Sequence, residues 1–445
     1  MLPEGVRPAA IFVSAGRIAA IDALDASLSA EREIDAGDLV VMAGLVDSHV
    51  HVNDPGRSEW EGFESAGMAA AAGGTTTIVD MPLNSRPVTT TVAALEAKVA
   101  AASGSCRVDF GLWGGIVPGN GSELPALIEA GALGFKAFLV PSGIDEFPPV
   151  EDDELGRAMA TLAPTGIPVL VHAEDAGELA GADGRALVER PGSCAAWAAS
   201  RPPQAEARAV ERVADVCART GARAHIVHVA SEEAVEAVRS ARAAGLPLTA
   251  ETCPHYLAFA CGDAAEGDTR FKCAPPIREE GHREALWRGL QSRTLDLVAS
   301  DHSPCPPELK PAGDFARAWG GIAGLELRLP ATWTEARLRE ATLADLARWL
   351  AEAPARLAGL SARKGRIAPG LDADLVVWDP ERAFVVRAGE LHQRHCATPW
   401  EGRTLSGVVD TTILRGQVIY ERGAFPGTPA GRWLARTSPV PAEAR

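Results

Sequence analysis

Short apolar runs rich in β-branched residues alternate along the middle of the chain with Ala-rich stretches of helical periodicity. Such runs cover residues 44–50, 75–81, 109–117, 135–140, 169–173, 224–230, 248–253 and 295–300, and they run into polar or catalytic-looking residues. Strands alternating with helical patterns imply βα units and a parallel sheet. Eight of them predict a closed α/β (β/α)8 TIM barrel, with an open doubly wound sheet as the alternative. The helical pattern over 343–360 is then the last barrel helix. The chain ends read differently. Residues 11–21, 38–42, 373–378, 408–415 and 417–420 are short β-like runs set apart by turns such as Pro369-Gly370 and Arg415-Gly416. They predict a small β-sandwich built from both ends. The expected organisation is residues 1–43 in the small domain, 44–362 in the barrel, and 363–445 in the rest of the small domain and a tail.

Composition narrows the class. A length of 445 residues accommodates a large barrel plus a second domain. No stretch approaches the roughly 20 apolar residues needed to cross a bilayer, and the first residues lack the basic start and apolar run of a secretory signal. The expectation is a cytoplasmic protein with no membrane partner. A formal net charge of −16 argues against a nucleic-acid partner. Eight cysteines without a CxxC pair suit reduced thiols rather than a disulfide framework.

Candidate chemistry gathers at the ends of the predicted strands. His49-Val50-His51 closes the first run. Residues i and i+2 of a strand share a face, so both imidazoles project into the barrel mouth and can grip one cation. By itself this pair is a weak signal. It is strengthened by Lys136, His172, His228 and Asp301, each at or near the end of another run, because barrel enzymes draw catalytic groups from several strands at that face. Strand alternation points His225 and His302 away from the site. His282, His392 and His395 lie outside strand ends, and His255 is open to a pocket or a packing role. A protonated lysine offers a metal no lone pair. Carbamylation would give Lys136 a bridging anionic group, whereas an ion pair with Asp301 is the structural alternative.

This set over a barrel resembles the cyclic amidohydrolases, a family that includes dihydroorotases, hydantoinases, dihydropyrimidinases and allantoinases. The resemblance covers nearly the whole chain and is closest to the allantoinases. It runs through the segments 50–57 (VHVNDPGR), 80–84 (DMPLN), 134–139 (GFKAFL), 251–256 (ETCPHY), 272–278 (KCAPPIR), 300–304 (SDHSP) and 319–324 (WGGIAG). It implies two divalent metal ions, with zinc favoured and cobalt or manganese permitted. His49, His51 and Asp301 would hold one ion, His172 and His228 the other, and N6-carboxylated Lys136 would bridge them. Asp301 would also move the proton in hydrolysis of a cyclic amide, and the resemblance implies a homotetramer. It further implies a strand before residues 5–10; this chain starts almost at the turn, which predicts an open sheet edge there.

Dihydroorotases place an arginine for the substrate carboxylate where this chain has Asn53. An amide does not replace a bidentate cation, so a neutral urea-rich ring fits better. The resemblance thus implies allantoin as substrate and allantoate as product. Asn53, Asn84 and Ser303 are the substrate-contact candidates, each with turn capping as the bland reading, and Arg57 is assigned to loop structure. Cys253, Cys273 and Cys305 fall near the predicted mouth without a catalytic role. Hydrolysis of another neutral cyclic ureide is the runner-up, and a scaffold protein that has lost its metals is the reading from a different class; the complete ligand set argues against the latter.

Overall fold

The structure is a computed structural model that describes residues 5–24 and 30–436. The N-terminal run over 11–21 is a hairpin, β1 (Ala10–Ser14) and β2 (Arg17–Asp22), turning at Ala15-Gly16. β3 (Val40–Ala43) follows, and Gly44 passes the chain directly into β4 (Leu45–Val50), the first barrel strand. A Cβ at Gly44 would lie 2.4 Å from the Thr76 hydroxyl, so this crossing admits only glycine.

The barrel continues with β5 (Thr75–Asp80), β6 (Asp109–Leu112), β7 (Gly114–Gly115), β8 (Phe135–Phe138), β9 (Val169–His172), β10 (Ala224–Ile226), β11 (Leu248–Thr252) and β12 (Leu297–Val298). All pair in parallel, in the orders β4-β5-β6 and β12-β11-β10-β9-β8-β7. The strands are buried on both faces, as expected of a parallel sheet covered by helices. The predicted run 109–117 is broken at Trp113, whose indole donates to the Ser48 carbonyl at 2.8 Å and whose backbone N–H still reaches Asp80 O at 3.0 Å.

Side chains complete the seam between β12 and β4. The Arg328 guanidinium, fully buried, donates to the carbonyls of Val46 at 2.8 Å and Val298 at 3.2 Å. Asp47 accepts from the Ser300 N–H at 3.2 Å, and a single Val50–His302 bridge closes the top. The helix expected over 343–360 is Leu343–Ala347, a π-turn over Arg348–Glu352, then Ala353–Leu357. Pro354 has no N–H for the Leu350 carbonyl, and Arg328 supplies the missing donor at 3.3 Å.

β13 (Leu375–Val385), β14 (Thr404–Leu414) and β15 (Gln417–Glu421) join β3 in an antiparallel sheet ordered β15-β14-β13-β3. Both chain ends therefore build the small domain, and the β1–β2 hairpin lies against residues 370–373. Residues 432–434 return to the barrel, where Phe110 N donates to Arg432 O at 3.0 Å and Leu434 N to Phe110 O at 2.8 Å. Among the described residues no helix is long and apolar enough to cross a membrane.

Candidate active site

The C-terminal ends of the barrel strands surround a cavity of about 370 Å³ whose wall includes His49, His51, Lys136, His172, His228 and Asp301. The six residues nominated from sequence thus converge, and all are buried. On one side, Asp301 Oδ1 lies 3.1 Å from His49 Nε2 and 3.4 Å from His51 Nε2. On the other, His172 Nδ1 faces His228 Nε2 at 2.9 Å. Lys136 Nζ stands 4.8 Å from the Phe138 ring centroid, and that ring stacks on His172 at 4.6 Å.

Carboxylates hold the imidazoles from behind. His49 Nδ1 pairs with Glu251 Oε1 at 2.5 Å, and Glu251 Oε2 meets His225 Nε2 at 3.0 Å. His172 Nε2 pairs with Glu174 Oε2 at 2.7 Å, and Arg201 clamps Glu174 with bonds of 2.9 and 2.6 Å. Such partners fix ring orientation and tautomer around a metal. Strand alternation excluded His225 from the wall, correctly, yet it backs the site through Glu251. Glu174 and Glu251 were missed, although the i, i+2 spacing of His172 and Glu174 was a signal open to reading.

Backbone strain concentrates here. Asn53, Asn84, His228 and Asp301 all have positive φ (65°, 69°, 42° and 46°), a costly conformation for a residue with a Cβ and one found where surroundings over-determine geometry. At Asp301 the restraint comes from His302. Its carbonyl accepts from His51 N at 2.8 Å, and its Nδ1 accepts from Gly324 N and Leu325 N at 3.2 and 3.3 Å. His302 thus faces away from the cavity, as alternation predicts.

The substrate-contact candidates divide. Asn84 and Ser303 line the cavity. Asn84 Nδ2 lies 3.4 Å from His51 Nδ1, Arg57 holds the Asn84 carbonyl at 2.8 Å, and the Trp319 indole reaches Ser303 Oγ at 3.4 Å. Asn53 does not line it: fully buried behind the wall, it donates to the Pro304 carbonyl at 3.4 Å. Its left-handed turn aims the side chain into the loop carrying Ser303 instead of the cavity. Trp197, Lys272, Arg317 and Trp319 also line the opening and were not nominated. Trp197 comes from the short helix Cys194–Ala199 and the others from connecting segments distant in sequence, so strand and helix periodicity does not bring them to the cavity.

Electrostatics follow from burial. Desolvation pushes His51 down to about 4 despite the neighbouring Asp301, and lowers His172 and His228 as well. These imidazoles are therefore neutral, the form that offers a lone pair. Burial also pushes Lys136 down to about 7, outweighing the attraction of Asp301 and Glu251. For Asp301, burial opposes ionisation, but His49, His51 and His228 together hold the carboxyl well below the usual range. Lys136 Nζ and His228 Nδ1 have no hydrogen-bond partner. The alternative of a Lys136–Asp301 ion pair is not found. Buried polar atoms left unpaired are costly, and a cluster of imidazoles with one carboxylate and one amine whose protonation burial disfavours is a donor set that fits divalent cations; one ligand atom each from His49, His51 and Asp301 lies within 4.8 Å of the others.

The chain is 48% identical to the allantoinase of Streptomyces avermitilis, covering 98% of this chain and 96% of that one. It is 41% identical to the allantoinase of Saccharomyces cerevisiae, covering 96% and 95%. Among solved structures, the L-hydantoinase (dihydropyrimidinase) of Arthrobacter aurescens superposes with a TM-score of 0.94 at 34% identity, covering 98% of this chain and 97% of that one. The Amidohydrolase family profile matches residues 40–419, and the chain belongs to that family.

Proposed function

We propose that the protein hydrolyses a ring amide of allantoin to give allantoate. The observation that carries this reading is the convergence of His49, His51, Lys136, His172, His228 and Asp301 on one cavity, in a chain whose curated relatives are allantoinases over almost their full length. His49, His51 and Asp301 would hold one divalent cation, zinc by preference, and His172 and His228 a second. Lys136 would lie between them as its N6-carboxylate, formed when the neutral amine adds carbon dioxide and releases a proton. A bound pair of such cations polarises the scissile carbonyl and lowers the proton affinity of water.

The chain's own groups do the rest. Asp301, kept ionised, accepts a proton from the attacking water and returns it to the departing ring nitrogen. Glu174 and Glu251 keep His172 and His49 in the required tautomers. Asn84 and Ser303 supply amide and hydroxyl partners for a neutral urea-rich ring, and buried contacts of that kind discriminate strongly between rings.

The close superposition on a hydantoinase supports a second reading, hydrolysis of a different neutral cyclic ureide. Zinc-loaded protein in bicarbonate buffer, assayed with allantoin, hydantoin, dihydrouracil and dihydroorotate side by side, separates the two. Dominant turnover of allantoin is the expected result. Dominant turnover of another ring would keep the chemistry and replace the substrate, and turnover of none would refute both.

A further inference from the structure

Just past the end of β11, Cys253 and His255 stand beside Asp301. The Cys253 sulfur, a ring nitrogen of His255 and a carboxylate oxygen of Asp301 all lie within 4.8 Å of one another. Cys253 and His255 are wholly buried, and neither lines the catalytic cavity. Both ring nitrogens of His255 lack a hydrogen-bond partner, although a neutral imidazole carries one N–H and one lone pair that ordinarily need one. The aromatic contact of this ring is an edge-on one with Tyr256, at 4.2 Å between centroids. Cys253 is a free thiol. Packing alone accounts poorly for such a histidine, since a leucine would fill the space without leaving two polar atoms unpaired.

We propose that Cys253, His255 and Asp301 form a further cation site, sharing Asp301 with the hydrolytic centre, that takes a thiophilic divalent ion, with cadmium or excess zinc as the chemical class. One sulfur, one imidazole nitrogen and one carboxylate oxygen make a soft-to-borderline donor set, in contrast to the sulfur-free cluster facing the cavity. Binding breaks the Cys253 S–H bond, forms a sulfur–metal bond and releases the proton to solvent. Thiolate and carboxylate then balance the dication. Occupancy draws on the same carboxylate that serves the hydrolytic site, so the ion inhibits by engaging Asp301. That inhibition rests on the role given to Asp301 above; the binding itself does not.

The test uses zinc-loaded full-length protein titrated with cadmium. Thiolate-to-cadmium charge-transfer absorption is followed while zinc and cadmium are counted by elemental analysis. Wild type should gain a cadmium equivalent with this absorption and no loss of zinc. Cys253→Ser should lose that equivalent, keep its zinc and turnover, and resist cadmium inhibition. His255→Asn should weaken binding by at least about tenfold, the scale seen when even an outer partner of a metal site is removed. Cys253→Ala serves the same purpose if the serine variant fails to retain zinc and a native circular dichroism spectrum. Equal cadmium uptake and absorption in the Cys253 variants, or cadmium entering only as zinc leaves, overturns the site. Because metal counting needs no substrate, failure here is distinguishable from failure of the allantoin reading.

Discussion

Two of the buried lysines of this molecule, Lys364 and Lys136, stand in opposite company. Lys364, at the junction of barrel and sandwich, donates to Asp109 at 2.7 Å and Asp374 at 2.6 Å and lies 3.0 Å from Asp372. Burial opposes its charge, but Asp374, Asp109 and Asp372 outweigh that and raise it above the ordinary lysine value. Arg415 completes the cluster against Asp109. The three carboxylates approach one another as closely as a cation site requires, and the ammonium already occupies that role. Lys136 is equally buried yet has no partner for its amine, and burial pushes it down to about 7. A saturated network of this kind holds two domains together, whereas an unsaturated one is built to receive something.

Substitutions should separate the two lysines sharply. The largest effect falls on turnover: Lys136→Ala and Asp301→Asn should each lower kcat/KM on the order of 10²–10⁴-fold, the range for losing a positioned catalytic group, without reducing the denaturant midpoint. Lys364→Met should do the reverse. It strands buried carboxylates, so equilibrium denaturation should show a loss of about 3–5 kcal/mol, while the folded fraction keeps its kcat. Either lysine behaving like the other would break the contrast. Glu174→Gln comes next: with its hold on His172 weakened, zinc affinity measured by chelator competition should drop about 10–100-fold.

The smallest effect is a pH dependence. On the proposed reading, only the neutral form of the Lys136 amine would add carbon dioxide. At constant dissolved carbon dioxide, the rate of reconstituting apoprotein with zinc should rise as pH climbs through about 7 and then level off. A midpoint in the ordinary lysine range would show that burial does not tune this amine.

The strand ends and the six converging side chains were legible in the sequence because each obeys a short-range rule. Apolar runs mark strands, i and i+2 share a face, and functional groups gather at one end of a barrel. What escaped depends on contacts distant in sequence. The seam of the barrel is made by Arg328 reaching Val46 and Val298. Trp197 on the short helix Cys194–Ala199, and Lys272 and Trp319 on connecting segments, reach the cavity from places far apart in sequence. Asn53 had a suitable side chain and a suitable position, but its left-handed φ turns it behind the wall. The second half of β13 pairs with residues 404–406 across long charged turns, so no apolar run announced it.

The central claim is that Lys136 is left unsatisfied so that it can become an N6-carboxylate between two cations. Carbon-13 NMR of protein reconstituted with zinc in labelled bicarbonate tests this most directly. One carbamate resonance per chain is expected, lost in Lys136→Ala and kept in Lys364→Met. An active, zinc-loaded protein with no such resonance, or one that survives Lys136→Ala, would contradict the account.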